Sequence, residues 1–308
     1  MVGSPPLKAL VGPTACGKTE AAIVLARSLG GEVCYADSMV VYRGMDIGTA
    51  KPTRAQRASV PHHLLDLIEP SERFTVARFQ AMAMEAIEDV RGRHSVPLLV
   101  GGSGLYVRAV VDGLEFPGED PLVRGELEAE ARVAGAGALY RRLEALDAVA
   151  AAKIEPDNVR RIVRALEVPA ITGRRFSEFA EGWERYDPAR TRMAGIRVAS
   201  EVLAARISHR VSAMFAAGWL EEVRGLVERG FGRWLTSTQA IGYSELARHL
   251  DGRLSLEEAR EQTVRRTKGL ARRQMAWFRR DPRVRWFDAG EGGASEITDA
   301  VDSYLRDP

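Results

Sequence analysis

Residues 12–19 read Gly12-Pro13-Thr14-Ala15-Cys16-Gly17-Lys18-Thr19. The spacing is G-x-x-x-x-G-K-[ST], the pattern of a phosphate-binding loop. Gly12 and Gly17 let the backbone turn tightly, so that successive N–H groups point at one anion. Lys18 adds a mobile positive charge, and the Thr19 hydroxyl is suited to ligating Mg²⁺. The flanks agree with the motif. Leu7–Val11 is a short apolar run of strand length, and residues 20–29 carry Ile23, Val24 and Leu25 in a helical stretch. A loop between strand and helix also receives the positive end of the helix dipole. The motif says that a diphosphate or triphosphate binds; it does not say which bond is broken.

Two more strand ends lead into turns of the same kind. Residues 32–36 are apolar and run into Asp37-Ser38. In a parallel sheet, ligands bind outside the carboxyl ends of the strands, so Asp37 is placed to bind Mg²⁺ through water, to act as a general base, or simply to cap a turn. Pro97-Leu98-Leu99-Val100 runs into Gly101-Gly102-Ser103-Gly104, a turn that lets a ligand or backbone approach closely. His62 and His63 precede Leu64-Leu65-Asp66-Leu67, which alternates as a strand; no metal ligands stand at suitable spacing, and the pair reads as structural. The strand–turn–helix alternation predicts an α/β fold, a parallel sheet flanked by helices of the P-loop NTPase-like type.

From residue 116 to 190 the alternation stops. Helices are predicted over 122–133, 138–146 and 158–168, the last stopped by Pro169, and the segment reads as a helical insertion into a core of 1–115 and 191–308. In the last helix Val159, Ile162, Val163 and Leu166 share one face and Arg160, Arg161 and Arg164 another. The arginine face suits either a solvated surface or a row of phosphate ligands. A strand is expected over 195–200. The helix after it carries Arg206 and Arg210 one turn apart, within reach of one anion. Ser255-Leu256-Glu257-Glu258 opens a long helix with a capping box.

Composition sets the frame. The 308 residues are 45% hydrophobic and 28% charged, with a net charge of +2. No apolar run approaches membrane-span length and no secretory leader is visible, so a cytoplasmic protein is expected. Cys16 and Cys34 form neither a disulfide framework nor a metal pattern. Between Arg265 and Arg285 nine lysines and arginines, Arg272 and Arg273 among them, face one acid, Asp281, and interleave with Trp277 and Phe278. Such a basic C-terminal helix suits a polyanion such as nucleic acid, its rings set against bases or core.

The motifs in series resemble the tRNA dimethylallyltransferases. Besides the loop, the resemblance rests on D-S-M-V-V-Y-R-G-M-D-I-G-T-A-K-P from Asp37, P-H-H-L-L-D from Pro61, G-G-S-G-L-Y from Gly101 and R-R-I-V-R-A-L-E from Arg160. It continues with A-G-W-L-E-E-V from Ala217, A-I-G-Y-S-E-L from Ala240 and L-A-R-R-Q-M-A-W-F-R from Leu270. Departures are Cys16 for the usual Ser, Val40 where many members have Gln, Ser103 for Thr, and Glu155-Pro156-Asp157-Asn158 for a His-Pro-Asn-Asp pattern. The resemblance implies transfer of a dimethylallyl group from dimethylallyl diphosphate to N6 of adenosine 37 in tRNA. The loop would then hold a leaving diphosphate with Mg²⁺ on Thr19, and Arg206 or Arg210 is a candidate second clamp. Asp37 would take the proton of the amine, and Ser38, Met39 and Val40 would line the adenine pocket. Ser103 and Arg124 would contact tRNA. The insertion, through Arg160, Arg161 and Arg164, and the basic helix, through Arg272 and Arg273, would grip the anticodon stem-loop, with the enzyme expected to be a monomer. Three alternatives remain open on the residues alone: a P-loop kinase of a small metabolite, an isopentenyltransferase acting on free adenine nucleotide, and an RNA-binding module without transfer activity.

Overall fold

A computed structural model describes residues 5–179, 181–290 and 292–307. The chain divides into two compact units, one of Met1–Gly113 with Asp187–Pro308, the other of Leu114–Tyr186. The strands are β1 (Leu7–Val11), β2 (Gly31–Ala36), β3 (His62–His63), β4 (Val96–Gly101), β5 (Thr191–Arg197) and β6 (Val284–Asp288). Helices in the first stretch of the larger unit are α1 (Lys18–Leu29), α2 (Arg54–Ser59), α3 (Val76–Gly92) and α4 (Gly104–Asp112). The smaller unit holds α5 (Pro121–Ala134), α6 (Ala136–Leu146), α7 (Ala148–Ala151), α8 (Val159–Thr172) and α9 (Phe176–Phe179). The larger unit then resumes with α10 (Ser200–Ala216), α11 (Trp219–Glu228), α12 (Tyr243–Leu250), α13 (Leu256–Phe278) and α14 (Thr298–Arg306). No helix among the described residues is long and apolar enough to cross a membrane.

The six strands form one parallel sheet in the order β3-β2-β4-β1-β5-β6. Strands buried on both faces carry near-continuous apolar runs, and β1, β2 and β4 do so. The register sets what lies at the carboxyl edge. Val11 pairs with both Gly101 and Gly195, and Ala36 also pairs with Gly101. The loops that follow β1, β2 and β4 therefore leave the sheet at one level.

Four expectations are corrected. Residues 64–67 do not extend a strand. The strand ends at His63, and Leu64 and Asp66 turn with φ of 66° and 53°. There Asp66 N and Leu67 N donate to Val40 O and Val41 O at 3.2 and 2.7 Å, so this stretch pairs with the loop after β2 rather than with the sheet. Pro169 does not end α8, which runs on to Thr172. Gly173, at φ 70°, supplies the left-handed stop, its N–H donating to Pro169 O. The strand expected over 195–200 lies at Thr191–Arg197, because Ser200 already opens α10. Residues 284–288, read as part of a basic run, form the edge strand β6.

Candidate active site

The loop after β1 holds its shape through backbone that few residues adopt. Gly17 lies at φ 95°, and Ala15, at φ 64°, takes a left-handed conformation costly for a residue with a Cβ. Gly12, Pro13 and Cys16 are buried beneath the loop, while Thr14, Ala15, Gly17, Lys18 and Thr19 line an open cleft of ≈ 1520 Å³. Lys18 Nζ donates to Gly12 O at 3.0 Å and to Pro13 O at 2.7 Å, which holds the ammonium over the loop. These are neutral acceptors, and a phosphate oxyanion forms the stronger charge-assisted bond.

Asp37 lines the same cleft. Its Oδ1 accepts from Met39 N at 2.8 Å, so one oxygen closes a turn and fixes the carboxylate's direction. Ser38 and Met39 are half-buried at that turn, and Val40 is buried with its edge on the cleft. Across from the loop, α10 presents Arg206 and Arg210. Arg210 Nη1 reaches Thr14 Oγ1 at 3.5 Å. Burial lowers the pKa of its guanidinium, against the opposing pull of Glu20, Cys16 and Asp37. Desolvated in this way, the cation favours an anionic partner. Arg206 Nη2 donates to Gly290 O at 3.0 Å.

Gln274 was not anticipated. This α13 side chain, 9% exposed, accepts from Thr14 N through Oε1 at 2.8 Å. Its Nε2 lies 2.5 Å from where a Cβ on Gly102 would stand, and Trp277 Cδ1 lies 1.8 Å from a Cβ on Gly104. The glycines of the turn after β4 are thus required by the close approach of α13. Ser103 caps α4 by position only, making no side-chain cap bond, which leaves its half-buried hydroxyl available.

The long motifs around the cleft interlock. Lys51, with a side chain 1% exposed, donates to Tyr42 O, Asp46 Oδ1 and Asp66 Oδ1 at 2.5–2.6 Å. Arg57 adds a bond to Asp66 Oδ2 at 2.6 Å. Burial pushes the Asp66 carboxyl up, but the bonds from Lys51 and Arg57 outweigh it and hold it below its ordinary value. Glu222 accepts from the N–H groups of Asp46 and Ile47 at 2.9 and 2.8 Å and from Tyr243 Oη at 2.6 Å. Trp219 fills the space that a Cβ on Gly48 or on Gly242 would occupy.

His62 and His63 are tied into the structure. His63 Nε2 pairs with Glu32 at 2.6 Å, and His62 Nε2 bonds Gln56 O at 3.2 Å. Burial pushes the Cys34 thiol up to about 12. Arg272 and Arg273 are exposed on α13. Within the smaller unit, Arg160 and Arg161 are exposed near the start of α8. Arg124 and Arg164, in contrast, both bond Glu167, which is 0% exposed, at 2.6 and 2.8 Å. Arg164 also donates to Pro117 O and Gly118 O. Burial raises the Glu167 carboxyl, and the two arginines more than reverse this.

A family model described as IPP transferase matches residues 40–281. The chain belongs to the IPP transferase family. A second model, isopentenyl transferase, matches residues 5–67. The chain is 52% identical over 293 residues to a tRNA dimethylallyltransferase of Kineococcus radiotolerans, covering 93% of this chain and 92% of that one. Among solved structures, the tRNA isopentenylpyrophosphate transferase of Bacillus halodurans is 40% identical, with a TM-score of 0.72 over 98% of this chain and 96% of that one. A eukaryotic dimethylallyltransferase acting on tRNA is 27% identical, with a TM-score of 0.81 over 99% and 81%. The α/β sheet and its flanking helices are therefore those of the family.

The loop, Asp37 and the two arginines of α10, singled out from sequence because each is local to a strand end or a helix turn, line one cleft. Sequence reasoning missed Gln274, Lys51 and Glu222, whose partners lie 260, 15 and up to 176 residues away. The one available signal was position: Lys51, Glu222 and Gln274 all fall inside motifs that the resemblance picks out.

Proposed function

We propose that this chain transfers the dimethylallyl group of dimethylallyl diphosphate to N6 of adenosine 37 in tRNA and releases diphosphate. The observation that carries the reading is the single cleft holding both the phosphate loop and Asp37, in a member of this family. The amine nitrogen attacks the allylic carbon, the carbon–oxygen bond breaks, and its electron pair leaves with the diphosphate. Loop N–H groups and Lys18 meet the charge that develops on the leaving oxygen. Arg210 meets it from the other wall, with Arg206 beside it. The amine's lone pair is delocalised into the ring, so it needs a base as it attacks. Asp37 takes the proton on the oxygen not engaged by Met39 N. Past Arg210 along the chain, the cleft wall is lined by Ala213, Met214 and Ala217, which suits a five-carbon apolar group.

Mg²⁺ fits the residues present. It takes oxygen ligands and is commonly held by one or two protein groups plus substrate phosphates. Thr19 and Asp37 offer such oxygens in the cleft. Thr19 would hold the ion, which neutralises diphosphate charge when bound. The tRNA is engaged at its anticodon stem-loop, by Arg272, Arg273, Ser103 and the exposed Arg160 and Arg161, with the target base turned out of its stack. We read the working unit as a monomer acting in the cytoplasm, in keeping with a tRNA substrate.

The test is transfer of label from radiolabelled dimethylallyl diphosphate to tRNA, to AMP, and to neither. Wild type should label tRNA. Asp37→Ala should lose transfer by at least about 10²-fold and keep tRNA affinity. Label in AMP but not in tRNA would overturn the proposal.

A further inference from the structure

Strand β2 runs out through Tyr35-Ala36-Asp37. Alternation along an extended chain directs residues i and i+2 to one side, and Tyr35 and Asp37 both line the cleft. The Tyr35 ring is 7% exposed and lies flat on the His62 imidazole, at 5.6 Å between centroids and 17° between planes. His62 is fixed in turn by its bond to Gln56 O, and Gln56 by the capping box that opens α2. The ring is therefore held in place. Its hydroxyl interacts with the side chain of Thr19, the last residue of the phosphate loop, but outside hydrogen-bond geometry, and it has no well-formed hydrogen bond among the described residues. Buried hydroxyls are almost always paired, so an orphan aimed into a ligand cleft needs an explanation. The N-terminus of α1, which begins at Lys18, opens on the same spot. An anion seated there supplies the missing acceptor.

We propose that Tyr35 is a diphosphate-binding residue, its hydroxyl donating to a diphosphate oxygen on the Thr19 side of the loop. The assignment rests on the reading of this cleft as a diphosphate site. The orphaned hydroxyl weakens the free protein and is repaid when the ligand binds, so the group is part of the affinity for diphosphate and no part of the fold.

Titration calorimetry with inorganic diphosphate on wild type and Tyr35→Phe, with and without Mg²⁺, tests this, together with thermal midpoints and affinity for an anticodon stem-loop RNA. A bond to a charged acceptor predicts diphosphate binding weaker by about 10-fold or more in Tyr35→Phe. The thermal midpoint of the free variant should be unchanged or higher, because no native bond is lost, and RNA affinity should be unchanged. Equal diphosphate affinities overturn the assignment. So does a variant that unfolds or melts lower without ligand, since the hydroxyl is then satisfied within the fold. A deficit present only with Mg²⁺ moves the hydroxyl onto water around the ion and also overturns it. If wild type itself fails to bind diphosphate, the reading of the cleft falls instead.

Discussion

Substituting Gly102 by Ala should damage the protein through one side chain, Gln274. The backbone at Gly102 is one that alanine adopts. The added Cβ, however, would stand 2.5 Å from Gln274 Nε2 and 3.3 Å from Gly12 O. The first contact cannot persist, and the amide end of Gln274 must withdraw, taking its Oε1 away from Thr14 N. What is lost is one partly buried hydrogen bond of 2.8 Å, and the Thr14 N–H is left short of an acceptor. That loss is worth about 1–2 kcal/mol. Gln274→Ala removes the same acceptor and should cost a similar amount. With Gln274 already truncated, Gly102→Ala meets only the Gly12 carbonyl and should cost less than about 0.5 kcal/mol. A double-mutant cycle should therefore give a coupling of about 1 kcal/mol, read as urea midpoints, with diphosphate affinity falling about 10-fold in both single variants and no further in the double. Strictly additive losses would refute the claim that the glycine is there to admit Gln274.

Three further outcomes follow from the same geometry. Lys51→Met should lower stability by roughly 2 kcal/mol or more near neutral pH, since it strips a buried cation from Asp46 and Asp66. Because the Asp66 carboxyl is held below its ordinary 3.8, its contribution is present above that value and lost as pH falls through the lower folded-state pKa, so the gap between wild type and variant in urea melts should narrow below about pH 4. Arg160→Ala and Arg161→Ala should leave the urea midpoint unchanged and reduce the slope of log tRNA affinity against log salt by about 1 each, whereas Arg164→Ala should melt the smaller unit early. Gly48→Ala should cost about 2 kcal/mol by forcing Trp219 from its place, and a Trp219→Phe partner substitution should recover part of it.

What could be read in advance was what is local. Gly17, Lys18 and Thr19 carry their chemistry in an eight-residue window, and Asp37 is marked by standing at the end of an apolar run. Capping residues such as Ser255 announce themselves three residues ahead of their partner, and the Ser255–Glu258 box forms. The smaller features that escaped depend on distant partners. Residues 284–288 look basic because of Arg285, and become a strand only because β5 offers an open edge. Pro169 sits inside α8, and the stop is set instead by Gly173 one turn later. The glycines at 48 and 242 give no sign in sequence that they face the same indole. Asp66, in a run that alternates like a strand, turns instead to meet a lysine whose burial no periodicity reveals.

The basic and aromatic run on α13 shows how placement changes the meaning of a composition. Read along the chain, Arg272, Arg273, Trp277, Phe278, Arg279 and Arg280 suggest rings set among charges, a platform for stacking bases. The helix period separates them. Gln274 and Phe278, one turn apart, are buried, and Trp277 lies against the Gly104 turn. The arginines at 272, 273, 279 and 280 are exposed. Phe278 thus belongs to the core and Trp277 packs on the glycine turn beside the phosphate loop, while the arginines face outward. A helix of this kind contributes to RNA affinity through phosphate contacts, which position without reading sequence. Substituting the exposed α13 arginines should therefore change the salt dependence of tRNA binding rather than base preference.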